Sequence, residues 1–424
     1  MTALLPEASS VDLSDLEFWA LPPEQREAAF AALRRDRPFA FYEEPEVPFM
    51  EKGPGYYSIV RHADVEAVSS QPKLFCSGEG ATSIVNLPAE LNEFYGSMIS
   101  MDDPRHAKIR RIVSKAFTPK MLEAVVDSVE LLCEEILIDA RKAAEQGDGT
   151  FDLVKHISAP LPLRVICRMM GIHDADAPVV LEQTNFILSG GDEEFITDES
   201  QALMQIIQAG QTLAGIMERL AEERRETATD DLTSALVRTE VDGEKLSYQE
   251  IASFFILLCV AGNETTRTAI SHGVWAMHQF PEQKARWMAD PSLEKTAVEE
   301  IVRWASPVIW MRRTATQDTE VNGHKFKAGD KLIMFYNSAN RDEKAFTDPF
   351  TFDLGRQPNP HYGFGAPGPH FCLGANLARR EIAVAFRQIF EKMPDLEVVG
   401  EPDRLKSSFI NGIKRLPVRL GGRA

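Results

Sequence analysis

The 424-residue chain is short of cysteine, of basic charge and of long apolar runs. Its five cysteines (Cys76, Cys133, Cys167, Cys259 and Cys372) are odd in number and widely scattered, and no Cys-x-x-Cys pair occurs. That pattern argues against a disulfide framework or a structural zinc and fits a reducing compartment. With 46 Lys and Arg against 64 Asp and Glu, the net charge is −18. Such a balance argues against nucleic acid as the main partner and against an anionic membrane surface. The longest apolar run, Ile251 to Gly262, is too short to span a bilayer. Met1 to Phe18 has no basic n-region with an apolar core, so neither a signal peptide nor an anchor is expected. A cytoplasmic enzyme is the simplest expectation. Nucleotide and flavin fingerprints and a cluster-binding cysteine set are missing too. Composition is ordinary for a globular protein, at 44% hydrophobic and 26% charged.

Against these absences stands one dense stretch, His361 to Gly374, reading His-Tyr-Gly-Phe-Gly-Ala-Pro-Gly-Pro-His-Phe-Cys-Leu-Gly. Gly and Pro fix a loop that most side chains could not follow, and a helix-like run, Ala375 to Met393, comes after it. Cys372 is therefore expected where a rigid loop meets a helix N-terminus. Backbone N–H groups and the helix dipole there favour a thiolate, which is a strong soft ligand for one metal ion. A lone Cys beside a turn is more often a buried structural residue; the surrounding loop is what sets this one apart.

A second anomaly lies in Ser247 to Phe280. Ser247 and Glu250 form a capping-box pattern, and the helical run continues to Pro281. Inside it sits Ala261-Gly262-Asn263-Glu264-Thr265-Thr266. Gly costs about 1 kcal/mol against Ala in a helix centre, and Thr hydroxyls capture backbone carbonyls and bend the helix. A local rule broken in a long apolar helix points to function; the plainer alternative is a kink with a capped polar pair.

Phe364, Gly365, Gly368, His370, Cys372 and Gly374 resemble the haem-binding loop of the cytochromes P-450, the haem-thiolate monooxygenases, with one extra residue between Gly365 and Gly368. The resemblance runs in order along nearly the whole chain. It implies a mainly α fold with a smaller β region, a triangular prism with haem b between the long central helix and the helix after Cys372. One domain is expected over residues 1–424, its β-rich parts at about 39–60, 306–335 and 396–418. It further implies that Cys372 is the iron ligand and that Ala261, His370 and the loop residues pack on the haem. His106, Arg110 and Arg313 would hold haem propionates. The acid–alcohol pair Glu264 and Thr265 would order water and relay protons during O2 activation, since breaking the O–O bond to release water consumes two protons in a pocket kept dry. Glu300, Arg303 and Arg356 match a structural Glu-x-x-Arg and its partner arginine.

Along the chain, Pro23 to Arg35 reads as an amphipathic helix, Phe39 to Val60 as strands, and Arg61 to Ser70 as a short helix. Cys76 to Ser100 has no clear period and reads as a functional loop. Asp102 to Phe117 begins a helix with an acid and Pro. Ser189 to Ser200 matches a lid region. Asn322-Gly323 is a hairpin turn, and Leu396 to Val418 reads as strands, with Phe409 to Ile413 turning back into the pocket.

Two electrons must come from a separate reductase. The expected donors are a ferredoxin and its reductase, docking on Arg111, Lys115, Lys120, Arg379, Arg380 and Arg387. Expected pocket walls are apolar: Ile84, Val85, Leu87, Met98, Phe186, Leu258, Val308, Ile309, Trp310 and Ile410. The Cys loop, the Ala-Asn-Leu-Ala-Arg-Arg-Glu after it and Phe-Ile-Asn-Gly near the end look like the actinobacterial group that hydroxylates steroid side chains, isoprenoids and methyl-branched lipids at a terminal carbon. A monomer is expected. The competing readings are a haem-based sensor that never turns over and a haem-thiolate isomerase or dehydratase needing no reductase.

Overall fold

The computed structural model describes residues 6–45, 51–116, 119–188, 194, 199–240 and 242–421. Its axis is one helical run. Ser247 Oγ accepts from the Glu250 N–H at 3.2 Å, and the Glu250 carboxylate accepts from the Ser247 N–H at 2.8 Å. This capping box opens a helix over Tyr248–Leu258, which widens into a π turn at Cys259–Asn263 and resumes as Glu264–Gln279. The wide turn contains Gly262, a weak helix former, and π turns are frequent at functional sites. Helices Pro119–Glu145, Pro160–Met170, Glu199–Glu226, Glu294–Ala305 and Ala375–Lys392 surround this axis. Their apolar faces merge into one continuous core.

A five-stranded sheet lies to one side. Its order is Phe41–Tyr42, Tyr56–Ile59, Lys331–Phe335, Trp310–Ala315 and Phe75–Cys76; only the Tyr56–Ile59 and Lys331–Phe335 pair is parallel. The Asn322-Gly323 hairpin forms between Thr319–Val321 and His324–Phe326, with φ of 47° and 88° at the two turn residues. Near the C-terminus, Val308 and Ile410 form an isolated bridge.

The brace beneath the core is ionic. Glu300 is fully buried, and each of its carboxylate oxygens accepts from Arg303 at 2.7 Å. Arg356 Nε lies 3.2 Å from both oxygens, Asn359 adds a donor at 3.1 Å, and the other guanidinium nitrogens of both arginines donate to backbone carbonyls.

Three expectations need adjustment. The loop expected over Cys76 to Ser100 contains a helix, Ala89–Gly96, which burial of Asn92 and Gly96 rather than a clear apolar period holds in place. The strands expected over Phe39 to Val60 shrink to two short ones, with residues 46–50 outside the described set. Most of the expected lid, Ser189 to Ser200, also lies outside the described residues. No helix among the described residues is long and apolar enough to cross a membrane.

Candidate functional site

The loop before Cys372 is pinned by backbone geometry. The Cys372 N–H donates to the Phe364 carbonyl at 3.0 Å, and the Gly365 N–H to that of Tyr362 at 2.9 Å. Gly368 has φ of 149°, and a Cβ there would come within 2.5 Å of the Ser69 carbonyl oxygen, so only glycine lets the loop lie against the helix His62–Ser69. Phe364 is buried, with the Arg379 guanidinium 4.3 Å above its ring. Gly374 ends the loop as the residue before the helix Ala375–Lys392.

Cys372 carries open surface. Burial nevertheless pushes its thiol up, against the Gly374 N–H and the charges of Arg110 and Arg379. Both observations hold at once for a sulfur on the wall of an internal space. The thiolate bias expected from the helix start is present, but desolvation outweighs it. A metal ion, rather than the helix, is what would hold this sulfur deprotonated.

The central helix also faces open space. Leu258, Ala261, Gly262 and Thr265 are half-buried, while Cys259, Asn263, Glu264 and Thr266 between and beside them are buried. The half-buried positions share one face by helical spacing. Thr265 Oγ1 donates to the Ala261 carbonyl at 2.6 Å. Glu264 lies on the adjacent, buried face, with Arg267 at 3.0 Å, and Arg267 in turn donates to Asn185 at 3.0 Å. Burial pushes the Glu264 carboxyl up, opposed by Arg267. Acid and alcohol are thus sequence neighbours without a hydrogen bond to each other. Both polar atoms of Asn263, and Thr268 Oγ1, are buried without a hydrogen-bond partner among the described residues. Asn263 and Thr268 were not singled out in the sequence; a polar residue inside an apolar helical run was the available signal.

Four basic side chains converge beside the loop. His106 and His370 lie against each other with ring centroids 4.2 Å apart and planes tilted by 40°. Burial first, then the charges of Arg313, His106 and Arg110, push His370 down to about 2. His106 Nε2 is buried without a partner. Arg313 is buried and donates to the Arg312 carbonyl at 2.8 Å; Arg110 donates to the Phe371 carbonyl at 2.7 Å. Of the nearby carboxylates, Asp103 stands 3.5 Å from His106 and is itself exposed, and Asp102 is taken by the N–H groups of Ser77 and Gly78 at 2.8 Å each. Desolvated guanidiniums without a counter-charge are costly and bind carboxylates strongly. A cluster short of acids, a sulfur on an internal wall and an open helical stripe together fit a haem with its propionates.

The expected pocket walls are only partly brought together. Val308 and Ile410 pair, and Val260 of the central helix packs on them. Leu258 belongs to the open stripe, Phe186, Val85 and Leu87 are half-buried, and Met98 is buried in the main core. Ile84 packs toward the N-terminal cluster, and its carbonyl is held by Lys331 at 3.0 Å. Ile309 is a correction. It follows Val308 in an extended segment and therefore points the other way, into the cluster of Trp19, Phe30 and Phe335. Trp310 is buried in that same cluster, edge-on to Phe409 at 4.9 Å.

The expected basic docking patch is largely spoken for internally. Arg380 and Arg387 pair with Glu130 at 2.7 and 2.5 Å, Arg379 with Glu299 at 2.5 Å, and Arg111 with Asp242 at 3.1 Å. Lys115 donates to the Glu240 carbonyl at 3.0 Å, and the Lys120 side chain is outside the described set.

Comparison with known proteins agrees with this geometry. The family profile for cytochrome P-450 matches residues 291–409. The methyl-branched lipid omega-hydroxylase of Mycobacterium tuberculosis is 50% identical over 411 residues, covering 97% of this chain and 94% of that one. The steroid C26-monooxygenase of Mycolicibacterium smegmatis is 37% identical over 407 residues, covering 95% and 91%. Among solved structures, a Mycobacterium marinum cytochrome P-450 in complex with pseudoionone superposes with a TM-score of 0.91 at 40% identity, covering 99% of this chain and 100% of the other.

Proposed function

The chain belongs to the cytochrome P-450 family, and from that premise we propose that its preferred substrates are methyl-branched lipids, with isoprenoids and steroid side chains as the related class, hydroxylated at a terminal carbon. The class of reaction is that of the family: a monooxygenase acting on a hydrophobic substrate with O2 and electrons from redox partners. The observation that carries the substrate reading is the 50% identity, over nearly the full chain, to a methyl-branched lipid omega-hydroxylase. The apolar wall of Val260, Val308 and Ile410 supports it.

Cys372 would hold the haem iron through its sulfur. His106, Arg110 and Arg313 would receive the propionates, and His370, Phe364, Gly365, Gly368, Gly374 and Ala261 would pack against the macrocycle. Bound there, haem supplies the iron chemistry by which R–H, O2, two electrons and two protons give R–OH and water. The protein's part is to hold protons and exclude solvent. Thr265 presents its hydroxyl on the open stripe, parked on the Ala261 carbonyl, from which it can turn to donate inward. Glu264, its pKa raised by burial, holds a proton nearer to neutral pH than an ordinary carboxyl and can resupply the hydroxyl through water. The orphaned Asn263 and Thr268 atoms beside it are sites for that water.

The electron donor in this reading is a ferredoxin with its reductase, and the protein works as a cytoplasmic monomer. Because the helix-surface arginines are already paired with carboxylates, Lys115 carries more of the docking than Arg380. Charge reversal at Lys115 should slow reduction and flatten its salt dependence; equal rates would remove the docking assignment.

The test of substrate is product analysis. Incubated with O2, electrons and a panel of methyl-branched fatty acids, sterols, terpenoids and small aromatics, the enzyme should yield terminal alcohols from the branched chains. Turnover of small aromatics alone would sink the substrate reading and leave the family standing.

A further inference from the structure

Behind the substrate wall lies a second cavity, of about 370 Å³. The helix Pro23–Asp36 forms one side and the C-terminal half of the central helix, with His272 and Trp275, the other. None of Cys372, Thr265, His106 or Arg313 lines it. One segment separates the two sites. Asn411 faces this cavity, with its carbonyl accepting from His272 Nε2 at 2.8 Å, while its neighbour Ile410 bridges Val308 on the substrate wall. Ile309, which the sequence placed in the substrate pocket, lines this second space instead.

Its polar lining is unusual in charge. Arg26, Arg34, Arg341 and Arg404 all line it. Arg34 is satisfied by Glu343 at 2.8 Å and Arg341 by Glu27 at 2.6 Å. The side chains of Arg26 and Arg404 make no hydrogen bond or ion pair among the described residues, and Arg26 Nε is sealed from solvent without a partner. The carboxylates facing them are Glu24 and Glu27 on the wall and Glu401 beyond it. Glu27 is engaged by Arg341, and neither of the others reaches a hydrogen bond to Arg26 or Arg404. Burial, with Arg404 and Arg341 adding repulsion, brings Arg26 down to about 10. Asn337 Oδ1, also on the wall, is a buried acceptor with no donor. The remaining surface is aromatic, from Phe30, Trp275, Phe280, Trp304 and Phe350.

We propose that this cavity is a second ligand site, for a small organic monoanion: a carboxylate on a flat apolar body, gripped by Arg26 and Arg404. A guanidinium fork matches a carboxylate and also stacks on aromatic rings. Convergent polar groups in an apolar cavity of this size are the ordinary form of a small-molecule site. The site does not depend on haem or on the substrate assignment.

The experiment titrates the haem-loaded protein with 3-iodobenzoate and, separately, with 3-iodobenzylamine, reading quenching of tryptophan emission; Trp275 and Trp304 line the cavity. Anomalous diffraction from soaked crystals locates the iodine. The acid should bind with its carboxylate on Arg26 and Arg404, at least tenfold more tightly than the amine. In Arg26→Met/Arg404→Met its affinity should fall at least tenfold. The melting temperature should hold or rise, because no partner is left unpaired. If that variant melts early, Arg404→Gln makes the same comparison with a polar side chain kept. Equal binding of acid and amine, unchanged affinity in the variants, or iodine found only outside this cavity would overturn the proposal.

Discussion

Two pairs of arginines, each with at least one member buried, sit in this molecule under opposite rules. Arg303 and Arg356 converge on Glu300, and every oxygen of that carboxylate is used. Arg313, with the half-buried Arg110, converges with His106 and His370 on a place where no buried carboxylate waits among the described residues. Burial alone does not distinguish them, since Arg303 is fully buried and Arg313 nearly so. The difference is satisfaction. A closed ion network belongs to the fold, whereas an open one of the same residue type is a site for a ligand's charge.

The comparison can be broken first at Glu300. Glu300→Ala leaves two desolvated guanidiniums and should cost about 3–5 kcal/mol in denaturant unfolding. A loss under about 1 kcal/mol would mean that the network is not what holds this corner. Glu381 sharpens the contrast from the acid side. It is fully buried on the helix after Cys372, Oε2 has no partner, and burial pushes the carboxyl up to about 8. The unfolded chain releases this proton near pH 4.3 and the folded one keeps it to about 8. Stability should therefore fall as pH rises through that window. Glu381→Gln should remove the decline, gaining a few kcal/mol at pH 8 and almost nothing at pH 4; parallel pH–stability curves would refute it.

Arg313→Ala should act opposite to Glu300→Ala. Losing charge-assisted hydrogen bonds of about 1.5–3 kcal/mol, it should weaken haem binding roughly tenfold or more and leave the apoprotein's melting temperature level or higher. A destabilised apoprotein with unchanged haem affinity would place Arg313 in the fold. The smallest effect on stability belongs to Thr265→Ala, which removes only a hydroxyl parked on its own helix. It should keep haem and fold while diverting electrons from product to hydrogen peroxide, measured as product formed per electron consumed. Unaltered coupling would take Thr265 out of proton delivery.

Much of this was legible in the chain because local chemistry decides it. The capping box at Ser247, the Asn322-Gly323 hairpin and the rigid loop before Cys372 are short-range patterns whose geometry follows from neighbouring residues. The failures are tertiary. Ile309 adjoins Val308 in sequence, and only strand alternation with a known partner reveals that it faces the other way. The basic patch near Cys372 looked free because Glu130 and Glu299, which neutralise it, lie far away in sequence. The helix Ala89–Gly96 escaped because its buried face is polar and small rather than periodic.

The central claim is that Cys372 binds iron while the unpaired basic cluster holds the haem's carboxylates. Its most direct test is the absorption spectrum of haem-reconstituted wild type beside Cys372→Ser. The wild type should show thiolate-ligated haem. The variant should still retain haem, held through His106, Arg110 and Arg313, but with the thiolate signature gone. A thiolate spectrum that survives the substitution, or a wild type that takes up no haem, would contradict the account.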